Sequence, residues 1–163
     1  MLSAAITHIK IIMEHSDIPV ASHQYESIYI NCPSDKVWGM IRNFQLDQMC
    51  PEWVREVTWV DGEPGKVGSS VKLTFQEGAQ WTYRILEVSD IRRTLAYELV
   101  MADPASNMTA YQAVLKVFKE TINNKAFVIW ETDFSNDAKA EVIMDNKYKK
   151  VDALNMMART LSE

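Results

Sequence analysis

Histidine disappears from this chain after position 23. His8, His15 and His23 all lie at the start, and none follows through Glu163. Catalysis by a Ser-His-Asp or Cys-His pairing is therefore excluded from the main body, as are histidine-rich metal sites. Cysteine is scarce too: Cys32 and Cys50 cannot build a disulfide framework. A reducing compartment is the default for such a chain, and a cytoplasmic protein is expected. No apolar run approaches the roughly 18 residues of a membrane-spanning helix. The opening "MLSAAITHIKIIMEH" lacks a basic n-region, and His8 and Lys10 interrupt its apolar stretch, which argues against a signal peptide. Positive charge is not in excess either. A net charge of −5 argues against a nucleic-acid binder that neutralises phosphates. The cluster "NKYKK" at 146–150 is flanked by Asp145 and Asp152 and reads as a solvated helix face. Gly62, Gly65 and Gly68 are evenly spaced, but no helix follows them, so they fit turns and a bulge rather than a phosphate loop.

What is present is ordinary in amount and informative in order. Hydrophobic residues make up 47% and charged residues 24% of 163, which suits one domain with a sizeable core. Residues 1–23 read as a separate arm or short helix, with Ile6, Ile9 and Met13 at helical spacing until Ser16, Asp17 and Pro19 break the pattern. Residues 24–163 form the domain. A strand is expected over 25–32. Ser34, a good N-cap, opens a helix carrying Val37, Trp38 and Ile41, and a second short helix covers 46–50. Six strands then follow near 55–61, 67–76, 79–88, 93–102, 108–119 and 125–135, separated by turn signals such as "DGEPG" and "DPASN". The last segment, 138–161, has no Gly or Pro and is a long helix. The class is α+β: an antiparallel meander whose apolar face must be covered by that helix.

These elements, with "CPSDKVWGMIRNF" (32–44), "PEWVREVTWVDGEPGKVGSSVKLTF" (51–75), "YRILEVSDIRRTLAYELV" (83–100), "NMTAYQAVLKV" (107–117) and "VIWETDF" (128–134), resemble the START-like or Bet v 1-like helix-grip superfamily. The likeness spans about residues 25–161 and is nearest to its polyketide cyclase/dehydrase-like branch (SRPBCC). The resemblance implies a curved sheet of about seven strands wrapped on the long C-terminal helix, two short helices between strands 1 and 2, and an internal ligand cavity. The superfamily includes enzymes, receptors and carriers, so its fold alone does not select a function. The lachrymatory-factor synthase-like branch carries a glutamate before "RLL", where this chain has Tyr83 in "YRIL". That branch also carries an arginine near the position of Gly68. Both departures argue against the same acid–base chemistry, although its later-strand tyrosine is matched by Tyr111. Arg55 stands where the abscisic-acid receptors carry a ligand-pairing lysine, yet their gate loops are missing.

Strand alternation then nominates the site. Arg55 shares a phase with Val57 and Trp59 and is expected to face inward as a clamp for a carboxylate or enolate oxygen. Tyr83, Tyr97 and Tyr111 share the inward phase of three strands and would offer hydroxyls to an oxygenated ligand. Leu95, Tyr97, Leu99 and Met101 share one side, and Glu87 continues the phase of Tyr83 and Ile85. On the long helix, Ile143, Val151, Leu154, Ala158 and Leu161 form a stripe with Lys147 at its middle and Lys150 on its edge. Lys147 is thus the expected base or amine nucleophile. The expected catalytic set is Tyr83, Tyr111, Lys147 and Arg55. Trp38, Trp59, Leu73, Phe75, Trp81 and Trp130, with Tyr97, Leu99, Ala113 and Val151, form the expected ligand wall. Glu131 and Asp133 are expected to face solvent. The sequence supports two small-molecule functions, beside a third reading as a regulatory partner protein with a filled cavity whose long helix or N-terminal arm makes contacts. One is a cyclase/dehydratase or isomerase that needs no cofactor and no metal; the other is a carrier or sensor of a hydrophobic or aromatic small molecule. Neither calls for nucleic acid or stable membrane insertion, and either suits a monomer or homodimer.

Overall fold

The computed structural model describes residues 22–162. The expected N-terminal arm lies outside them, apart from Ser22 and His23, and His23 already opens the first strand. Strand β1 (His23–Pro33) is followed by helices α1 (Ser34–Arg42) and α2 (Leu46–Met49). Six strands come next: β2 (Val54–Asp61), β3 (Ser70–Phe75), β4 (Gln80–Ser89), β5 (Thr94–Asp103), β6 (Tyr111–Glu120) and β7 (Lys125–Phe134). Helix α3 (Ala140–Leu161) closes the order. The seven strands form one antiparallel sheet, β1-β7-β6-β5-β4-β3-β2, so the first strand returns to lie beside the last. This is the helix-grip arrangement anticipated from the sequence.

Short connections explain the meander. Gly62, Gly65 and Gly78 hold positive φ in the β2–β3 and β3–β4 turns, where residues with a Cβ are strained. At Gly65 the space is also taken, because an added Cβ would lie 2.0 Å from Arg42 Nη1. Arg42 thereby ties the β2–β3 loop to α1, and its Nε donates to Asp90 at 2.7 Å. Ser34 does not act as an N-cap: Pro33 precedes the first helical turn, and the Ser34 hydroxyl is buried with no hydrogen-bond partner.

Alternation along the strands is interrupted by single-residue bulges. Val54 pairs with Phe75 but Glu56 pairs with Thr74, so Arg55 is the extra residue on β2. On β5, Met101 pairs with Thr82 and Leu99 with Tyr83, leaving Val100 extra. On β4, Ile85 pairs with Tyr97 and Glu87 with Ala96, leaving Leu86 extra. Each bulge reverses the phase beyond it. Val54 therefore points in and Arg55 points to solvent, against the expected inward clamp. Met101 is 63% exposed, while Ala102 pairs with inward-facing Trp81. Glu87 is exposed, and Val88 returns to the inner side opposite Leu95.

The inner face carries Leu73, Ile85, Leu95, Tyr97, Leu115, Val128 and Trp130, all nearly inaccessible. Glu131 bonds Lys116 at 3.0 Å and Asp133 faces His23 at 2.7 Å, both on the outer face as expected. Helix α3 lies across the inner face. Its buried stripe is Ile143, Lys150, Ala153, Leu154, Met157 and Leu161. At 100° per residue this stripe is rotated by roughly 60° from the expected one. Val151 is consequently only half-buried, and Lys147 is at the margin, 3.7 Å from Glu26 with its side chain 45% exposed.

Replacing Leu73 by Ala should lower stability by about 2–5 kcal/mol in urea denaturation. Arg55→Ala should change it by no more than about 0.5 kcal/mol. Equal losses at both positions would contradict the bulged register.

Candidate functional site

A cavity of about 260 Å³ opens between the β3–β4 hairpin, the 104–108 segment and the first half of α3. Phe75, Trp81 and Tyr83 form its sheet wall, Trp53 one side, and Asn146 and Lys150 its helical wall. Its outer rim carries Glu77, Asp145 and Lys149. The size falls just below the roughly 300–1,000 Å³ common for ligand pockets, and exceeds the roughly 150 Å³ that accepts benzene.

The aromatic wall is continuous. Trp53 meets Phe75 at 5.1 Å between ring centroids, Phe75 meets Trp81 at 6.0 Å, and Trp81 meets Tyr83 at 6.2 Å. Tyr83 in turn packs edge-on to Tyr97 at 5.0 Å. Such pairs add about 0.5–1.5 kcal/mol each beyond burial, so the wall is stiff.

Lys150 gives the site its chemistry. It is 1% exposed, and its Nζ has no hydrogen-bond partner. The rings of Tyr111 and Trp130 lie 5.2 and 5.4 Å from that nitrogen. Burial pushes the Lys150 amine down to about 7, and the charges of Glu26 and Asp133 oppose the shift only in part. Near neutral pH a large share of it is thus the free amine, with an unused lone pair. Other unpartnered atoms cluster nearby in the fold. Thr132 Oγ1 and Gln24 Oε1 lie on paired residues of β7 and β1, and Asn146 Oδ1 lies one turn before Lys150. Gln24 uses its other end to donate from Nε2 to the Ile143 carbonyl at 2.7 Å.

The tyrosines serve differently. Burial pushes Tyr83 well above its ordinary value, helped by Tyr111. Tyr97 is raised for the same first reason, and its hydroxyl accepts from Trp130 Nε1 at 2.9 Å. Tyr111 is pushed up to about 12 by burial, with neighbouring Asn146, Thr132 and Tyr97 limiting the rise. All three hydroxyls therefore stay protonated.

Not every expected residue meets at this cavity. Tyr83, Phe75 and Trp81 line it. Trp130 stands behind Lys150, and Tyr111 and Leu99 border a second cavity of about 210 Å³ behind the 104–108 segment. Leu73, Tyr97 and Ala113 are buried in the sheet interior and do not line the main cavity. Trp38 lies on α1, and its Nε1 donates to Asp90 at 3.0 Å, away from the cavity. Trp59 is half-buried on β2, opposite Val71. Arg55, Lys147 and Val151 are absent from the lining, for the reasons of register and helix rotation given above. The sequence reading missed Trp53 and Asn146 and left Lys150 on the edge. The signal for Lys150 was its seven-residue spacing from both Ile143 and Met157.

Residues 23–159 match the model of the family described as polyketide cyclase / dehydrase and lipid transport. The chain belongs to that family. Among curated proteins no sequence matches it significantly. Solved structures share its fold. A protein from Nitrosospira multiformis is 24% identical, with 85% of this chain and 95% of that one covered, at a TM-score of 0.73. XoxI from Bacillus cereus is 21% identical over 85% and 94%, at 0.68. Major latex-like protein 151 from Panax ginseng is 14% identical over 86% and 94%, at 0.67. At these identities the likeness concerns the fold, a Bet v 1-like one. Among the described residues, no helix is long and apolar enough to cross a membrane.

The depressed Lys150 value has a signed consequence. Below about pH 7 the amine is charged in both states, and the folded state carries the full burden of its burial. Between 7 and the ordinary 10.5 the unfolded chain holds a proton that the folded chain lacks, so stability rises with pH. Lys150→Met should therefore raise Tm at pH 6, and its advantage over the wild type should shrink as pH climbs above 7. Tyr97→Phe should lower stability by about 1–3 kcal/mol, because the Trp130 indole is left without an acceptor. Calorimetry across pH checks both.

Proposed function

We propose that this protein binds a hydrophobic, oxygenated small molecule in the Trp53–Trp81–Lys150 cavity and promotes its cyclisation, dehydration or isomerisation. The carrying observation is one buried amine without a hydrogen-bond partner, set in the helical wall opposite aromatic rings. The ligand's apolar part would stack on Trp53, Phe75 and Trp81. Its oxygenated end would reach Lys150, Asn146 and the Tyr83 hydroxyl. A low-dielectric wall strengthens each of these polar contacts and holds the ligand in one conformer. Lys150 takes the reactive role that the sequence placed at Lys147, and Arg55 has none. The chemistry drawn from these residues is hydrogen bonding by tyrosine and proton or charge handling by the amine. Two buried cysteines outside any disulfide suit the reducing, cytoplasmic setting expected from the sequence.

One observation favours a carrier or sensor instead. The three tyrosines are held far from ionisation, and a hydroxyl that keeps its proton orients a ligand without transferring charge.

Native mass spectrometry of the purified protein, beside a denatured control, tests the binding itself. A small mass lost on denaturation is expected and would name the ligand class. With that ligand, Lys150→Met should lower turnover by about 10²-fold or more, the range of an acid–base group, with affinity changed much less. Tyr83→Phe should weaken binding and turnover together. No turnover in the wild type, with affinity sensitive to both substitutions, would establish the carrier.

A further inference from the structure

We propose that the cavity takes an apolar aldehyde or ketone and that Lys150 captures its carbonyl carbon as an imine. The inference rests on the reading of the cavity as a ligand site and adds the class of ligand and the bond formed.

Three features of geometry carry it. The Lys150 nitrogen is enclosed by protein, and the residue is 1% exposed, yet Lys150 as a residue belongs to the lining of an open cavity. Among the described residues no acceptor lies within hydrogen-bond distance of it, so none of them occupies its lone pair or binds its protons. Its flanks are the rings of Tyr111 and Trp130, which exclude water from two sides and favour condensation over hydrolysis. A carboxylate beside the nitrogen would hold it as ammonium, and there is none at contact distance. Glu26, the acid that acts most strongly on it, is drawn to Lys147 at 3.7 Å.

Two charged groups act on Lys150. Glu26 on β1 and Asp133 on β7 act at a distance, and Asp145 and Lys149 of α3 stand with Glu77 at the cavity rim. Burial outweighs the two acids, so the amine is nucleophilic near neutral pH. Lys149, by contrast, pairs with Asp145 at 2.8 Å with its side chain 46% exposed.

The step balances without redox. The amine nitrogen attacks the carbonyl carbon, the carbonyl π pair moves to oxygen, and a proton passes from nitrogen to that oxygen. The carbinolamine then expels water and leaves a C=N bond. Protonated, the imine draws electrons from the α-carbon beside its C=N carbon, which eases loss of a proton there to give an enamine and prepares a ring closure or an elimination. Hydrolysis returns amine and carbonyl product.

The volume suits one aromatic ring with a short chain, so hydrocinnamaldehyde is the probe and hydrocinnamyl alcohol its counterpart without a carbonyl. Wild-type protein is incubated with the aldehyde and sodium cyanoborohydride at pH 7.5, then examined by intact mass and peptide mapping. The expected result is a single reduced adduct on Lys150, lost in Lys150→Met and slowed by excess alcohol. Its formation should be on the order of a hundredfold faster than at Lys149, because an ordinary lysine holds very little free amine at that pH. The rate at Lys150 should level off above pH 7–8, while surface lysines keep accelerating. Tryptophan fluorescence of Trp53 and Trp81 follows binding in parallel. Quenching by both compounds with no adduct, or with adducts scattered over surface lysines, overturns the imine and leaves the cavity reading standing. No quenching by either compound, together with no adduct, removes both.

Discussion

The setting of helix α3 about its own axis governs what the interior presents. Two hydrogen bonds anchor it: Gln24 Nε2 to the Ile143 carbonyl at 2.7 Å, and Cys50 Sγ to the Ala153 carbonyl at 3.5 Å. The first ties the helix to the edge strand β1, the second to the corner after α2. The Cys50 thiol is pushed up to about 12 by burial, so it remains a donor. With the axis held at both points, Lys150 enters the aromatic interior and Lys147 is turned to Glu26 at the margin. A turn of a fraction of a helical step would carry Lys150 away from the rings of Tyr111 and Trp130.

Around that amine the protein supplies aromatic surface and neutral polar groups rather than fixed counter-charges. Tyrosine hydroxyls are held protonated, and Thr132, Asn146 and Gln24 each retain an unused polar atom. Unpaired buried polar groups are costly, so a guest that satisfies several of them would gain affinity from the protein's own deficit. The charges at the rim, Glu77, Asp145 and Lys149, remain hydrated and do not enter that exchange.

Much of this was legible in the chain. Turn residues and Pro-free, Gly-free runs mark all seven strands and the long helix to within a few positions, and an antiparallel sheet with one covering helix leaves few arrangements. Wall residues Phe75, Trp81 and Tyr83 also followed from alternation, since β3 and the middle of β4 are regular. The failures have one cause at two levels. Periodicity fixes which residues share a face only while the period holds. Single extra residues at Arg55, Leu86 and Val100 reset it, and nothing local in "VREV" or "ELVM" announces a bulge. On α3 several apolar stripes were available, and the tighter one built on Ile143, Met157 and Leu161 depends on what the sheet offers opposite. Trp53 lies outside any repeating element, where periodicity has no purchase.

The bulge at Val100 also bears on how such a cavity can vary over a lineage. Along β5 the side chains that reach inward are set by counting residues from the paired strand. Exchanging one wall residue for another alters the shape offered to a guest and leaves its neighbours in place. Adding one residue there while the bulge is kept inverts the remainder of the strand, sending Ala102 outward and Met101 into the space beside Trp81, whereas removing Val100 leaves both on their present faces. Length in this region is therefore under tighter constraint than identity. Exchange of side chains reshapes the wall within a reading frame of the backbone that leaves the other side chains on their faces.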